Sequence, residues 1–346
     1  MTTPPAFGAF VISLDFELHW GVRDTAAPDG PYRNNLLGAR KAVPAMLALF
    51  RQFDIAATWA TVGFLFARNE RELRDYSPQL RPTYRNGALD PYKEPLGPDE
   101  AHDPLHYAPS LIERIRECPR QEMATHTFSH YYCMEEGQTP EMFRADMKAA
   151  VAIAADRGFT LRSIVLPRNQ YLPAYGQVLR DCGITIYRGT ERHWMYQTGA
   201  TSSQRTPWRR AARITDNYVD LSGPNATPWS AIQQPDGMWN VPSSRILRPY
   251  SQRLARLEPL RLRRIANAMT YAAAHQQIFH LDWHPHNFGV NLEENLAFLR
   301  QLLSHYRSLR ERYGMQSLSM AEVADRAAGK RTEPAPPRMR AVDAVP

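Results

Sequence analysis

The sequence predicts an α/β fold, a parallel sheet or (β/α) barrel, on three observations. Short apolar, β-rich runs alternate with helix-period segments along most of the chain. Every acidic or histidine cluster directly follows a predicted strand, where the chemistry of such sheets collects. The 346 residues, 43% of them hydrophobic, suffice for a large core.

Residues 9–14 (AFVISL) form a short apolar run that ends in acids, the pattern of a buried strand delivering polar side chains at its C-terminal end. Residues 40–53 carry an apolar face at Val43, Met46, Leu47, Leu49 and Phe50, and residues 56–62 (AATWATV) read as a second buried strand. The alternation continues with a strand at 122–125, a helix at 141–157, a strand at 163–166, a helix at 174–182 and a strand at 184–187. Near the end come a helix at 259–275, a strand at 277–283 and a long helix at 292–312. Two stretches break the pattern, 69–109 and 191–239, and read as long loop insertions over one face of the sheet. A single catalytic domain over 1–328 is expected, followed by a Pro-rich, disordered tail at 329–346.

Lys and Arg number 42 against 35 Asp and Glu, a net charge of +7 that suits an acidic glycan, an anionic carrier or a membrane surface. Nucleic acid is not expected as a partner: the basic clusters at 208–210 and 261–264 lie in no recognisable motif and read as solvated faces. Cys118, Cys133 and Cys182 form no CxxC pair, which excludes a disulfide scaffold and a four-cysteine zinc site and predicts free thiols. The N-terminus lacks a signal peptide's basic region, and the longest apolar stretch, 55–67, is short of the roughly 20 residues that a membrane span needs. A soluble cytoplasmic protein without a transmembrane segment is expected.

The sharpest local signal is His126-Thr127-Phe128-Ser129-His130. Two imidazoles four residues apart are expected to project from one side of a helical turn, supplying two nitrogen ligands of a zinc site. A carboxylate at another strand end is the natural third ligand. In Ser13-Leu14-Asp15-Phe16-Glu17-Leu18-His19 the two-residue strand period points Ser13, Asp15, Glu17 and His19 to one face, where one acid can bind metal and one act as base.

The segments SLDFE, HTFSH, PRNQY and LDWHPHNFG, in that order and each after a strand, resemble the NodB-homology polysaccharide deacetylases, carbohydrate esterase family 4. The resemblance runs from about residue 8 to 320 and implies a distorted (β/α) barrel of that type. It implies Asp15 as catalytic base and Glu17 as the carboxylate ligand beside His126 and His130 on Zn2+ or another divalent metal such as Co2+. It implies Arg168, in Pro167-Arg168-Asn169-Gln170-Tyr171, as the residue that orients Asp15. His284 best matches the family's late histidine, the general acid, with His280 and His286 as alternatives. The chain departs from the family at two points. Glu17 stands where an aspartate is usual, and residues 239–244 (WNVPSS) lack the acid that polarises the late histidine; Asp282 replaces it only if the backbone turns there.

The implied activity is metal-dependent removal of N-acetyl groups from a sugar of a bacterial surface polysaccharide, or from its nucleotide- or lipid-linked precursor. The long insertions carry Tyr76, Tyr84, Tyr92, Tyr107, Trp194, Trp208 and Trp229, which suit sugar rings. The rival readings are a hydrolase of another small amide or cyclic amide and a carbohydrate-binding homologue with impaired catalysis.

Overall fold

Strand β1 (Ala9–Phe16) is buried along all eight residues. A strand covered on both faces needs no polar alternation, which accounts for the run AFVISL. The structure is a computed structural model and describes residues 4–191, 193–196 and 207–330.

After β1 come helix α1 (Arg33–Phe53) and strand β2 (Ala57–Thr61), which pairs parallel with β1 from Ser13↔Thr58 to Phe16↔Thr61. The unit then repeats. Helices α2 (Glu70–Tyr76) and α3 (Pro109–Glu117) lead to β3 (Gln121–Thr125), and α4 (Pro140–Asp156) leads to β4 (Ser163–Ile164). Helix α5 (Gly176–Asp181) precedes β5 (Ile186–Tyr187), and α6 (Pro207–Thr215) precedes β6 (Trp239–Asn240) and β7 (Arg245–Ile246). Helix α7 (Glu258–Ala274), β8 (Ile278–Trp283), α8 (Leu292–Tyr313), β9 (Gln316–Leu318) and α9 (Met320–Ala327) complete the order.

The strands are parallel in the order β6-β5-β4-β3-β2-β1-β8-β7, with β9 also on β1. Its two ends, β6 and β7, are joined through residues 241–244 alone, so the sheet curls back on itself as a distorted (β/α) barrel.

Alternation along each strand divides two cores. Phe10, Ile12, Leu14 and Phe16 of β1 face the helices, while Ala9 and Val11 face the barrel interior with Ala60, Ala124, Val165, Ile186, Val241 and Ile278. Helix α9 plugs this interior at the N-terminal ends of the strands with Met320, Val323 and Ala324. Its start is fixed by the capping box of Ser319 and Glu322, and by half-buried Glu122, which accepts from Ala321 N at 3.0 Å and Thr58 Oγ1 at 2.7 Å. The apolar filling therefore ends halfway up, and the inward rows continue as Ser13 and Asp15 on β1.

Helix α1 begins seven residues before the predicted 40–53, because Gly38 weakens the sequence signal. The glycine is required for contact: a Cβ there would lie 2.1 Å from Gly289 O, in the turn that follows β8. The first insertion is built rather than open. Helix α2 is capped by the Asn69 side chain, and Tyr84, Leu89, Leu105 and Tyr107 are buried. In the second, Trp229 is buried with its ring edge on Phe7, whereas Trp194 and Trp208 are exposed and 5.2 Å apart. Of the expected tail, residues 331–346 lie outside the described residues. Among the described residues, no helix is long and apolar enough to cross a membrane.

Candidate active site

The polar half of the barrel interior gathers the inward rows of β1, β5 and β8. Asp15 is bound by Arg188 in a two-pronged pair, Nη1 to Oδ1 and Nη2 to Oδ2, both at 2.7 Å. Both side chains are almost wholly out of water, at 1% exposure for Arg188 and 7% for Asp15. Burial alone pushes the Asp15 carboxyl up, but the charges of Arg188, His284 and His126 outweigh it and hold it below 3.8. Arg188 also donates to Ser13 Oγ at 2.9 Å and to Asn169 Oδ1 at 3.0 Å.

This arrangement corrects the expected role of Arg168, which does not reach Asp15. Arg168 lies over the Tyr132 ring, 3.9 Å from its centre, and pairs with Asp24 and with Glu135, the latter at 2.6 Å. Strand β4 is only two residues long, and the chain turns away at Pro167–Asn169 with Arg168 at φ 56°. Arg188 instead continues the inward alternation of Ile186. Its signal was available in Ile184-Thr185-Ile186-Tyr187-Arg188, an arginine two residues beyond an inward apolar residue.

The second group is Glu17, His126 and His130. The Nε2 atoms of both histidines lie 3.1 Å from Glu17 Oε2, and all three residues are buried. The expected helical turn is absent: residues 126–130 form a loop with Thr127 at φ 65° and His130 at φ 54°. Asp146 holds that loop from α4, accepting from Phe128 N at 2.7 Å, Ser129 N at 3.1 Å and Ser129 Oγ. Burial pushes the Asp146 carboxyl up to about 6, against these donors. An acid on the buried face of a helix, beside Phe143 and Met147, was the sequence signal for this support. Asp146→Ala should cost about 2–4 kcal/mol in urea unfolding, since it strands buried donors; a loss below 1 kcal/mol would show that the loop holds itself.

The trio fits a divalent cation by its chemistry. His126 Nδ1 donates to Val165 O at 2.7 Å, which leaves its Nε2 lone pair aimed at a carboxylate oxygen. Two acceptors converging in a buried place call for a cation between them. His130 Nδ1 accepts from Arg23 Nη1 at 3.1 Å, so without a metal its proton sits on Nε2 toward Glu17. Burial, the largest influence, takes His130 down to about 4 despite Glu17. Glu17 itself is held well below 4.5: His284, His126 and His130 overcome its burial.

Gly21 makes room for the longer acid. A Cβ there would lie 1.9 Å from Glu17 Cδ and 2.0 Å from Oε1. Gly21→Ala should therefore displace the Glu17 carboxylate and weaken metal binding at least tenfold, while the unfolding midpoint moves little because a flexible side chain yields. Isothermal titration with Zn2+ beside a urea curve separates the two effects.

His284 follows β8 and is 26% exposed, with Nε2 3.4 Å from Glu17 Oε1 and 3.7 Å from Asp15 Oδ2. The alternatives are placed otherwise. His280 is committed at both nitrogens, to Val241 O at 3.0 Å and Ser13 Oγ at 2.8 Å, and burial lowers it to about 3. His286 is buried edge-on to Tyr32 and likewise lowered to about 3 by burial. Asp282 needs no backbone turn to face the site. It stays in β8, paired in register with Ser13, and the two-residue period carries His280, Asp282 and His284 on one face. Asp282 Oδ2 lies 3.6 Å from Arg188 Nη1. His19, expected on the face of Asp15, points elsewhere: Leu18 takes φ 46° after the strand ends, and His19 Nδ1 meets His106 Nε2 at 3.0 Å.

No family model and no curated protein matches this sequence. Solved structures do match. A Mycobacterium smegmatis protein described as a polysaccharide deacetylase aligns over 96% of both chains with a TM-score of 0.59 at 12% identity. PuuE allantoinase aligns over 93% of this chain and 89% of its own, with a TM-score of 0.51 at 11% identity. A 4-alpha-glucanotransferase from Thermococcus litoralis aligns over 93% of this chain and 40% of its own, with a TM-score of 0.53 at 10% identity. The chain has the fold of the NodB-type polysaccharide deacetylases, a barrel that carries different reactions in these three proteins.

Proposed function

We propose that the protein is a metal-dependent hydrolase that removes N-acetyl groups from a sugar of a bacterial surface polysaccharide or its precursor. The observation that carries this reading is the convergence at one end of the barrel of a dry Asp15–Arg188 pair, the Glu17–His126–His130 trio and the partly exposed His284.

Glu17, His126 and His130 would hold the ion, with zinc-type metals favoured by the two imidazoles. When bound, such an ion supplies Lewis acidity, lowering the pKa of a water and polarising an acyl oxygen. Asp15 accepts the proton of the attacking water. Its lowered pKa makes it a weak base, suited to a water already acidified, and Arg188 keeps it ionised and aimed. His284, within reach of both carboxylates and of solvent, carries a proton to the departing sugar amine. Arg168 serves the wall of the site through Asp24 and Glu135 rather than the base. The substrate is free or carried on a nucleotide or lipid, and a cytoplasmic place of action fits the free Cys118, Cys133 and Cys182.

The test is acetate release from a panel of N-acetylated sugars and their nucleotide-linked forms, using protein loaded with Zn2+ or Co2+. Release from at least one member, absent in Asp15→Asn, is expected. Metal-loaded protein inert across the panel would overturn the reading. The likeness to PuuE allantoinase favours one second reading, hydrolysis of a small cyclic amide, so such ureides belong in the same panel.

A further inference from the structure

A second cluster of ligating groups lies where the first insertion meets the chain just beyond β1. His19 Nδ1 and His106 Nε2 face one another at 3.0 Å, both rings buried. The proton of each ring is already assigned. His19 Nε2 lies 3.0 Å from Ala26 O, and a carbonyl only accepts, so the hydrogen is on Nε2. His106 Nδ1 lies 2.9 and 2.8 Å from the two carboxylate oxygens of Asp103, so its hydrogen is on Nδ1. With both rings neutral, two lone pairs confront each other in a buried place. Only a cation between them resolves this, either a proton or a metal.

The third member decides for the metal. Glu94 brings a carboxylate oxygen within 4.8 Å of one nitrogen on each ring, and this carboxylate accepts no hydrogen bond among the described residues. Its burial raises its pKa, with His106 and Arg23 opposing. Two imidazoles and one carboxylate, each imidazole donating its far N–H to an oxygen, is the donor set and outer shell of a zinc-type ion. Charge permits it: Glu94 and Asp103 supply two negative charges against the one positive charge of Arg23. Glu94 is only partly buried, which leaves an ion a way in.

We propose that His19, His106 and Glu94 form a second site for a divalent cation of the zinc type, distinct from the Glu17 trio. An ion there fastens residues 94–106 to the segment two residues past Glu17, and so ties the first insertion to the candidate active site. The inference does not depend on the proposed reaction.

Metal counting on the full chain tests it. Protein stripped with a chelator, reloaded with Zn2+ and desalted is weighed by native mass spectrometry. Two equivalents are expected in the wild type, one in Glu17→Ala and one in Glu94→Gln, with at least a hundredfold weaker Zn2+ binding at the second site in Glu17→Ala/Glu94→Gln than in Glu17→Ala. A wild type with one equivalent that Glu17→Ala loses and Glu94→Gln keeps would overturn the second site and leave the first standing. The reverse pattern would support the second site and remove the metal from the proposed reaction. Because Glu94 is partly exposed, Glu94→Gln tests the site without opening the core around His106.

Discussion

Replacing Arg188 by methionine should destabilise the protein by about 3–5 kcal/mol, the cost of leaving a buried carboxylate without its cation. The pair is nearly dry, and among the described residues no other guanidinium pairs with Asp15, so no relaxation of surface side chains softens the loss. Asp15→Asn/Arg188→Met should recover most of it, because the stranded charge is gone. Urea unfolding of the four proteins measures the cycle; a single-variant loss under 1 kcal/mol would show that water enters the pair. The pH dependence has a definite sign. Asp15 is held below 3.8 in the folded wild type, so its contribution is complete above that value and is lost as pH falls through the lowered pKa. The gap between wild type and Arg188→Met should narrow in that acid range. Turnover should fall with it, since Asp15 without Arg188 takes up a proton at higher pH and the acid limb of the rate profile moves upward. Arg168→Ala is the control: turnover within about tenfold of wild type is expected, and a loss as large as that of Arg188→Met would restore Arg168 to the role its motif implied.

Glu17→Ala should lower acetate release by about 1,000-fold or more, the scale of a lost Lewis-acid contribution of several kcal/mol. Excess Zn2+ should not rescue it, because His126 and His130 alone lack the anionic ligand that their shared geometry is built around. Glu17→Asp should retain more activity than Glu17→Ala, but less than wild type: the shorter acid retreats from both Nε2 atoms, and the room over Gly21 empties. Activity unchanged in Glu17→Ala would detach the trio from the reaction altogether.

The barrel was legible because buried strands and amphipathic helices each leave a local mark. The runs at 9–14, 56–62 and 277–283 and the face of Val43, Met46, Leu47 and Phe50 need no distant partner to be recognised. The placements of Asp15, Glu17, His126, His130 and His284 at strand ends were legible for the same reason. What escaped depends on the backbone leaving a regular period. Positive φ at Leu18 turned His19 away from the row of Asp15, and positive φ at Thr127 and His130 replaced an expected helical turn by a loop. Arg168 lies away from the base because a two-residue strand releases its chain early, and Arg188 is marked in the sequence only by its period with Ile186 and by no motif. Asp146 is marked only as an acid on an apolar helix face, and neither its partners in the loop nor the contact of Gly21 with Glu17 follows from spacing.

The position of β1 has a consequence for how the molecule is made. The strand emerges in synthesis long before two of its partners: Ala9–Leu14 must wait for Ile278–Trp283, and Ala9–Val11 also for Gln316–Leu318, before that sheet is complete. At ribosomal speeds of ~5–20 residues per second the delay is roughly 10–50 s. Throughout it, one edge of a strand that opens with four apolar residues, Ala9 to Ile12, is open to other nascent chains. Asp15 on β1 and Glu17 just past its end are thus translated early and walled in late, so sheltering that edge in the interval should raise the yield of active protein.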